Sequence, residues 1–213
     1  MSKAEVIERI VSGGVLPVIR AESKEEARKV IDAITKGGIS IIEITMKVPD
    51  AVLLIRELTA NNNLLIGAGT VMDPETARAC IEAGAKFIIS PALNFETIDY
   101  CNDRDIVVMP GALTPTEVVN AWDAGADFVK VFPADSMGGA KYLKSLKAPL
   151  PHIKLIPTGG VSQETAASFI KAGASAVGVG ADLVDLLAIR EGRSEAITEA
   201  ARKYLEIVRA ARS

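Results

Sequence analysis

Two ionisable residues stand within apolar segments of the sequence, where a charged side chain is costly. Lys130 lies in "FVKVFP" and Glu43 lies in "IIEIT". Burial disfavours the charged form of each side chain, so we expect an amine without its proton at neutral pH. Such an amine is a nucleophile toward ketones, and a carboxyl group beside it can act as a general acid and base. The two residues therefore predict covalent catalysis on a carbonyl compound.

The alternation of side chains along a strand predicts where these two groups point. Lys130 shares a face with Phe128 and Phe132, and Glu43 shares a face with Ile41. If both faces line the interior of a barrel, the amine and the carboxyl group meet there. Two interpretations without catalysis remain open: a buried ion pair, or a lysine whose stem lies along the surface while its amine reaches solvent.

Glycine-rich segments follow the last two predicted strands. They are "PTGG", with Gly159 and Gly160, and "VGVG", with Gly180. Each opens into a predicted helix, and backbone N–H groups at this place in barrel enzymes commonly hold a phosphate group. The two loops together predict a phosphate site.

Other residues at predicted strand ends complete a pocket. Thr70 follows "IGAG" and offers a hydroxyl group, while Pro91 and Gly111 follow the fourth and fifth strands and form part of the wall. Arg20 and Lys47 extend past the ends of the first two strands. Either cation could bind a carboxylate, Arg20 with the better bidentate geometry, and the choice between them stays open.

The elements that must position these residues alternate regularly between strand and helix. Strands are predicted at residues 15–19, 39–46, 64–68, 87–90, 107–109, 128–132, 153–157 and 176–179. Helices are predicted near 24–36, 50–60, 74–83, 95–103, 115–124, 138–147, 163–172, 181–188 and 194–211, after an N-terminal helix. Eight strand–helix units without a linker favour a closed (β/α)8 TIM barrel over a doubly wound sheet. We therefore expect one domain of residues 1–213, with an N-terminal helix and an extra C-terminal helix.

The ends of the predicted helices carry matching signals. Asp73 and Thr114 are predicted N-caps, each followed by proline at the first helical position. Gly84, Gly125 and Gly173 recur after helical segments, where a left-handed residue commonly ends a helix.

Composition narrows the classes of function. The chain has 24 Lys and Arg against 27 Asp and Glu, a net charge of −3, so we expect a small-molecule substrate and neither nucleic acid nor a membrane as partner. The absence of a long apolar stretch and of a secretory signal predicts a cytoplasmic protein. One histidine, His152, and two separated cysteines, Cys80 and Cys101, argue against a His-rich metal site and a Ser-His-Asp triad.

Several segments in one order resemble a known family. They are "IIEIT", "IGAGTV", "ISPAL", "MPGALTPTE", "VKVFPAD" and "PTGGV". From Val15 to Val184 the chain resembles the class I aldolases that act on 2-keto-3-deoxy-6-phosphogluconate (KDPG) and often on 4-hydroxy-2-oxoglutarate (KHG). The resemblance implies that Lys130 forms the Schiff base, Glu43 is the general acid and base, and Thr70 contacts pyruvate. It also implies a homotrimer that needs neither a metal nor another cofactor.

Two positions depart from this resemblance. Some members of the family hold the pyruvate carboxylate with an arginine where this chain has Lys47, so Lys47 or Arg20 takes that place here. Some place a serine at the phosphate site where Ala181 follows Gly180. The loss of that hydroxyl group leaves the phosphate to backbone groups of the glycine loops and weakens the preference for phosphorylated substrate. The predicted substrate-binding residues are Arg20, Lys47, Thr70, Pro91, Phe132, Gly159, Gly160 and Gly180.

The expected reaction is reversible cleavage of KDPG to pyruvate and glyceraldehyde 3-phosphate through a lysine Schiff base, with KHG cleavage to pyruvate and glyoxylate as a second activity. Three alternatives remain open. A phosphogalactonate aldolase would use the same lysine and glutamate with the opposite stereochemistry at C4. A sugar-phosphate isomerase or epimerase would use Glu43 as a base with no covalent step. A non-catalytic, trimer-forming scaffold would need neither residue.

Overall fold

The computed structural model describes residues 1–61 and 63–213, in which ten α-helices alternate with nine short strands. The strands are β1 (Val15–Ile19), β2 (Ile41–Thr45), β3 (Leu65–Gly69), β4 (Phe87–Ile89), β5 (Val107–Met109), β6 (Gly111–Ala112), β7 (Val129–Val131), β8 (Leu155–Pro157) and β9 (Val177–Val179). The helices are α1 (Lys3–Gly13), α2 (Lys24–Lys36), α3 (Ala51–Thr59), α4 (Pro74–Glu82), α5 (Phe95–Asn102), α6 (Pro115–Asp123), α7 (Ala140–Lys147), α8 (Ala166–Lys171), α9 (Leu186–Arg190) and α10 (Ser194–Arg212). A short 3-10 helix, Asp135–Met137, follows β7.

The strands form an α/β fold with a curled parallel sheet. Six strands pair in the order β5-β4-β3-β2-β1-β9, and three pair in the order β6-β7-β8. Every one of these pairings is parallel. The carboxyl ends of the strands therefore meet at one end of the sheet, where the loops that follow them can build a common site.

Hydrogen bonds link the two groups of strands at both of their edges. The N–H of Asp127, which precedes β7, donates to the carbonyl oxygen of Val108 on β5 at 3.1 Å. The N–H of Ser175, which precedes β9, donates to the carbonyl oxygen of Leu155 on β8 at 2.9 Å. An isolated parallel bridge pairs Thr158 with Gly178 beside the second link.

The fifth predicted strand, at residues 107–109, is β5, and Pro110 separates it from the two-residue strand β6. Proline has no N–H to donate to a ladder, so regular pairing stops at this residue. Its carbonyl oxygen still accepts the N–H of Lys130 at 2.9 Å. All eight predicted strands are thus present, and β6 is an additional strand that the sequence did not predict.

Most helix boundaries agree with the sequence prediction. The side chain of Asp73 accepts the N–H of Thr76, and the side chain of Thr114 accepts the N–H of Glu117. Both predicted N-caps are confirmed. Gly84 has a φ of 107°, so it takes the left-handed conformation predicted after α4.

Two predicted helices are shorter than expected, because side chains hold the chain in loops before them. The helix predicted near 163–172 begins only at Ala166, since the hydroxyl group of Thr165 bonds to the loop through Gly160 and Ser162. The helix predicted near 181–188 begins only at Leu186, since Asp185 caps it. The longer loops that result follow β8 and β9 at the site end of the sheet.

Two apolar cores lie on opposite sides of the sheet. Ile41 and Phe128 belong to the inner core, together with Ile10 of α1. Ile42 and Val129 belong to the outer core between the sheet and the surrounding helices. This division agrees with the alternation predicted for the strands that carry Glu43 and Lys130.

Both cysteines are free thiols buried in the outer core. Residues 1–61 and 63–213 contain no helix with the length and apolar character needed to cross a bilayer. The same residues contain no group of three or more His, Cys, Asp or Glu side chains arranged to hold a metal ion.

Candidate active site

Lys130 and Glu43 meet inside the sheet, as the alternation predicts. Lys130 lies on β7 and Glu43 on β2, and the Nζ atom of Lys130 is 3.7 Å from Oε1 of Glu43. Lys130 is 5% exposed and Glu43 is 1% exposed. The distance is that of an ion pair and is too long for a hydrogen bond. Within the described part of the chain, Oε1 of Glu43 is buried without a hydrogen-bond partner.

The surroundings of Glu43 raise its pKa above the ordinary value of 4.5. Removal of the carboxyl group from water is the largest cause, and the positive charges of Lys130 and then Arg20 oppose it. A carboxyl group with a raised pKa can accept and return a proton nearer to neutral pH. This property suits a general acid and base.

Gly69 leaves the space that the Glu43 carboxyl group occupies. Gly69 ends β3 and pairs with Thr45 on β2. A Cβ atom built on Gly69 would lie 1.9 Å from Oε1 of Glu43. No side chain fits at this position while Glu43 stays where it is.

Thr70 directly follows β3 and has a left-handed backbone conformation. Its φ is 59°, which is unfavourable for a β-branched residue and costs on the order of 1–2 kcal/mol. Residues held in such conformations concentrate at active sites and ligand-binding turns. Thr70 thus stands at the end of the strand next to the one that carries Glu43.

A cavity of about 220 Å³ lies beside the Lys130–Glu43 pair, at the carboxyl ends of the strands. Phe132 lines it, and the ring of Phe132 has its centroid 5.4 Å from Nζ of Lys130. Val18, which pairs with Glu43 in the ladder, lines it as well. Arg20 also belongs to the wall of this cavity.

The two predicted glycine loops form the opposite wall of the cavity. Gly159, Gly160 and Gly180 all line it. Gly159 and Gly160 have φ values of 97° and 67°, which other residues rarely adopt. In residues 1–61 and 63–213, the backbone N–H groups of Gly160 and Ala181 donate to no other backbone group. These donors point to a wall that can bind an anion.

Pro91 and Lys47 lie in other loops at the same end of the sheet. A Cβ atom on Gly111 would lie 2.2 Å from the carbonyl oxygen of Pro91, so the loop after β4 packs closely on β6. Lys47 is exposed in the turn after β2. The structure thus brings Arg20, Phe132 and the glycine loops together around one cavity. Lys47, Thr70 and Pro91 lie outside its wall.

Comparison with known proteins identifies the family. Residues 6–200 match the family model described as KDPG and KHG aldolase. The chain belongs to this aldolase family. A 2-dehydro-3-deoxy-phosphogluconate aldolase from Pseudomonas aeruginosa is 35% identical over 157 residues, which are 73% of this chain and 71% of that protein.

Solved structures agree with this assignment. The KDPG aldolase from Legionella pneumophila, with pyruvate captured at low pH as a covalent carbinolamine intermediate, has a TM-score of 0.85 and 30% identity over 92% of this chain and 96% of that one. A cube-shaped protein cage designed by fusing symmetric oligomeric domains has a TM-score of 0.82 and 29% identity over 93% of this chain and 73% of that one.

The structure places two acidic residues at or beside the cavity. The sequence did not predict either of them as a site residue. Asp182 lines the cavity two positions after Gly180. The side chain of Asp135 packs against Gly159 and Gly160, since a Cβ atom on Gly160 would lie 2.3 Å from Cβ of Asp135. The position of Asp182 within the predicted phosphate loop was a signal available in the sequence.

Proposed function

We propose that the protein catalyses reversible aldol cleavage of KDPG to pyruvate and glyceraldehyde 3-phosphate through a Schiff base on Lys130. The observation that carries this proposal is the buried contact between Nζ of Lys130 and the carboxyl group of Glu43 in an apolar interior. A lysine amine beside a general acid and base can attack a ketone and form an imine. Membership of the KDPG and KHG aldolase family supports the same chemistry.

The reaction begins with attack of Lys130 on the C2 carbonyl of the substrate. The carbinolamine that forms loses water, and the protonated imine withdraws electrons from the C3–C4 bond. Glu43, directly or through a water molecule, takes the proton from the C4 hydroxyl group as this bond breaks and the aldehyde leaves. Glu43 then returns the proton to the enamine, and hydrolysis releases pyruvate and the free amine. The carbinolamine in the Legionella enzyme is the intermediate that this sequence of steps requires.

The cavity wall supports an assignment of the groups that bind the substrate. Arg20 shares the cavity with the glycine loops, so we assign it to the phosphate of KDPG, or to the carboxylate of glyoxylate in the KHG reaction. The N–H groups of Gly160 and Ala181 assist it. The pyruvate carboxylate is left to Thr70 and Lys47 at the ends of β3 and β2. Phe132 completes the wall as an apolar group, and we assign Pro91, in the loop after β4, to the pyruvate end of the site.

We also propose that the chain forms one closed (β/α)8 barrel over residues 1–213. The hydrogen bonds from Asp127 to Val108 and from Ser175 to Leu155 support closure at both edges. Arg212 of α10 supports a single domain, since its guanidinium group donates to the carbonyl oxygens of Ser12 and Ser175.

A homotrimer remains a proposal, as does a cytoplasmic location. The designed cage of fused symmetric oligomeric domains, which shares this fold, supports oligomerisation. Met72 and Phe95 are 48% and 53% exposed. Asn94, the N-cap of α5, bonds to the carbonyl oxygen of Met72, so the loop after β3 lies beside the start of α5, where Phe95 stands. Sedimentation of the wild type and of Phe95→Ser tests this surface, because loss of the trimer in the variant alone would support it.

Borohydride trapping tests the proposed function. The protein is mixed with pyruvate and sodium borohydride, and its peptides are analysed by mass spectrometry. We expect a reduced pyruvate adduct on the peptide that carries Lys130 and none in Lys130→Met. Lys154→Met is the matched control, because Lys154 precedes β8 at the other end of the sheet, and it should still give the adduct. A folded wild type without an adduct contradicts the imine mechanism and favours a non-covalent isomerase.

A further inference from the structure

Asp182 is an acidic residue in the loop after β9, at the cavity assigned to phosphate. It lines the cavity together with Arg20, Gly180 and Ala181. Position 181 supplies no hydroxyl group, so the loop after β9 offers an anion only its backbone N–H groups. The side chain that follows in the same loop carries a negative charge.

Tyr204 fixes the Asp182 side chain at this place. Tyr204 lies on α10, is fully buried, and donates its hydroxyl group to Oδ2 of Asp182. Burial, followed by the bond to Asp182, raises the pKa of Tyr204 well above its ordinary value of 10.0. The phenol therefore stays a neutral donor at every physiological pH, and the carboxylate keeps an ordered position despite its exposure.

The charges around the cavity oppose each other. Arg20 attracts an anion, whereas Asp182 repels one, and Asp135 places a second carboxyl group against the Gly159–Gly160 turn. A phosphate monoester carries between one and two negative charges at neutral pH, so it experiences this repulsion more strongly than any neutral group. A hydroxyl group in its place could instead donate a hydrogen bond to a carboxylate.

We propose that Asp182, held by Tyr204, is a specificity-determining residue that lowers the preference of this aldolase for phosphorylated over unphosphorylated aldehydes. This inference rests on the proposed function, because it concerns the aldehyde end of the same site. It predicts a pocket that accepts a neutral hydroxyaldehyde in the place of its phosphate ester.

The test compares two aldehydes in the direction of aldol addition to pyruvate. The measured quantity is kcat/KM for glyceraldehyde 3-phosphate divided by kcat/KM for glyceraldehyde. We expect this ratio to rise about tenfold in Asp182→Asn, which removes the charge and keeps an acceptor for Tyr204. Asp105→Asn is the matched control: it removes one negative charge before β5, at the end of the sheet away from the cavity, and its φ of 55° suits asparagine. The control should keep the wild-type ratio.

A second variant tests the role of the tyrosine. Tyr204→Phe leaves the charge of Asp182 and removes the bond that holds it, so we expect a ratio between those of the wild type and Asp182→Asn. A wild-type ratio in Tyr204→Phe contradicts the role of Tyr204, and a ratio in Asp182→Asn equal to that of Asp105→Asn overturns the inference. If pyruvate is trapped on Lys130 in that case, the inference alone fails. If no pyruvate is trapped in the wild type, the proposed function fails and the inference fails with it.

Discussion

The carboxyl group of Glu43 occupies the space in which a side chain at Gly69 would lie. A Cβ atom on Gly69 would be 1.9 Å from Oε1 and 2.5 Å from Cδ of Glu43. Atoms that are not bonded to each other do not approach this closely. The glycine at the end of β3 is therefore a condition for the contact between Glu43 and Lys130. A small residue on a neighbouring strand sets the position of the general acid and base.

We predict that Gly69→Ala impairs catalysis more than it impairs folding. The added methyl group must move the Glu43 carboxyl group away from Lys130, and a displacement of about 1 Å can lower a rate by about 100-fold. Gly67→Ala is the matched control on the same strand, because its Cβ atom would lie 2.1 Å from the ring of Phe87 in the inner core. Both variants should lose stability in urea unfolding. Only Gly69→Ala should show the large fall in kcat per folded protein, and equal falls in both variants would contradict the assigned role of Gly69.

We predict that Glu43→Gln separates proton transfer from imine formation. The amide has nearly the same shape but cannot accept and return a proton, so kcat should fall by about 100-fold to 10,000-fold. Borohydride should still trap pyruvate on Lys130, because the amine remains in its apolar surroundings. The measurements are steady-state kinetics and peptide mass spectrometry, with Glu8→Gln on α1 as a control that keeps full turnover. Wild-type kcat in Glu43→Gln would remove Glu43 from the mechanism.

The direction in which each catalytic candidate points could be predicted from the sequence, because strand geometry fixes the alternation of side chains. Ile41 and Phe128 lie in the inner core, and Ile42 and Val129 in the outer one, so the inward direction of Glu43 and Lys130 follows from their immediate neighbours. The ionisable residue in each run conflicted with an apolar core, and it marked the site.

Other features depend on contacts that local patterns do not contain. The left-handed backbone of Thr70 is disfavoured by its own residue type, so only the surrounding fold can impose it. The bond between Tyr204 and Asp182 joins residues on α10 and in the loop after β9. The break in pairing at Pro110 between β5 and β6, in contrast, follows from the missing N–H of proline and could have been predicted.

We predict that the two cysteines resist alkylation in the folded protein. Burial raises the pKa of Cys80 and of Cys101 to about 12. At pH 8 only about one thiol in 10,000 would then be a thiolate, which is the reactive form. Iodoacetamide should leave both residues unmodified in buffer and modify both in concentrated urea, as read by intact mass. Rapid modification of either cysteine in buffer would contradict its burial beneath the helices.

We predict that Glu43 makes the folded state less stable as pH rises. Its pKa is raised in the folded protein above the ordinary value of 4.5, so the folded chain keeps a proton that the unfolded chain has lost. Because the folded state binds more protons, the free energy of unfolding falls as pH increases from about 4.5 to the folded pKa. Glu43→Gln cannot titrate and lacks this fall. The stability of Glu43→Gln minus that of the wild type should therefore increase across this window and level off above it.

Glu26→Gln provides the opposite control for this measurement. The bond from Arg190 holds the pKa of Glu26 below its ordinary value of 4.5. The charged carboxylate therefore stabilises the folded protein above pH 4.5. This stabilisation is lost as pH falls through the folded pKa. The stability of Glu26→Gln minus that of the wild type should therefore decrease as pH rises through that lower window. Urea unfolding between pH 3.5 and 8, about one unit below and several above the ordinary value, measures both differences. A pH-independent difference for Glu43→Gln would mean that the Glu43 carboxyl group titrates alike in the folded and unfolded chains, and that burial between β1 and β3 does not shift its proton equilibrium.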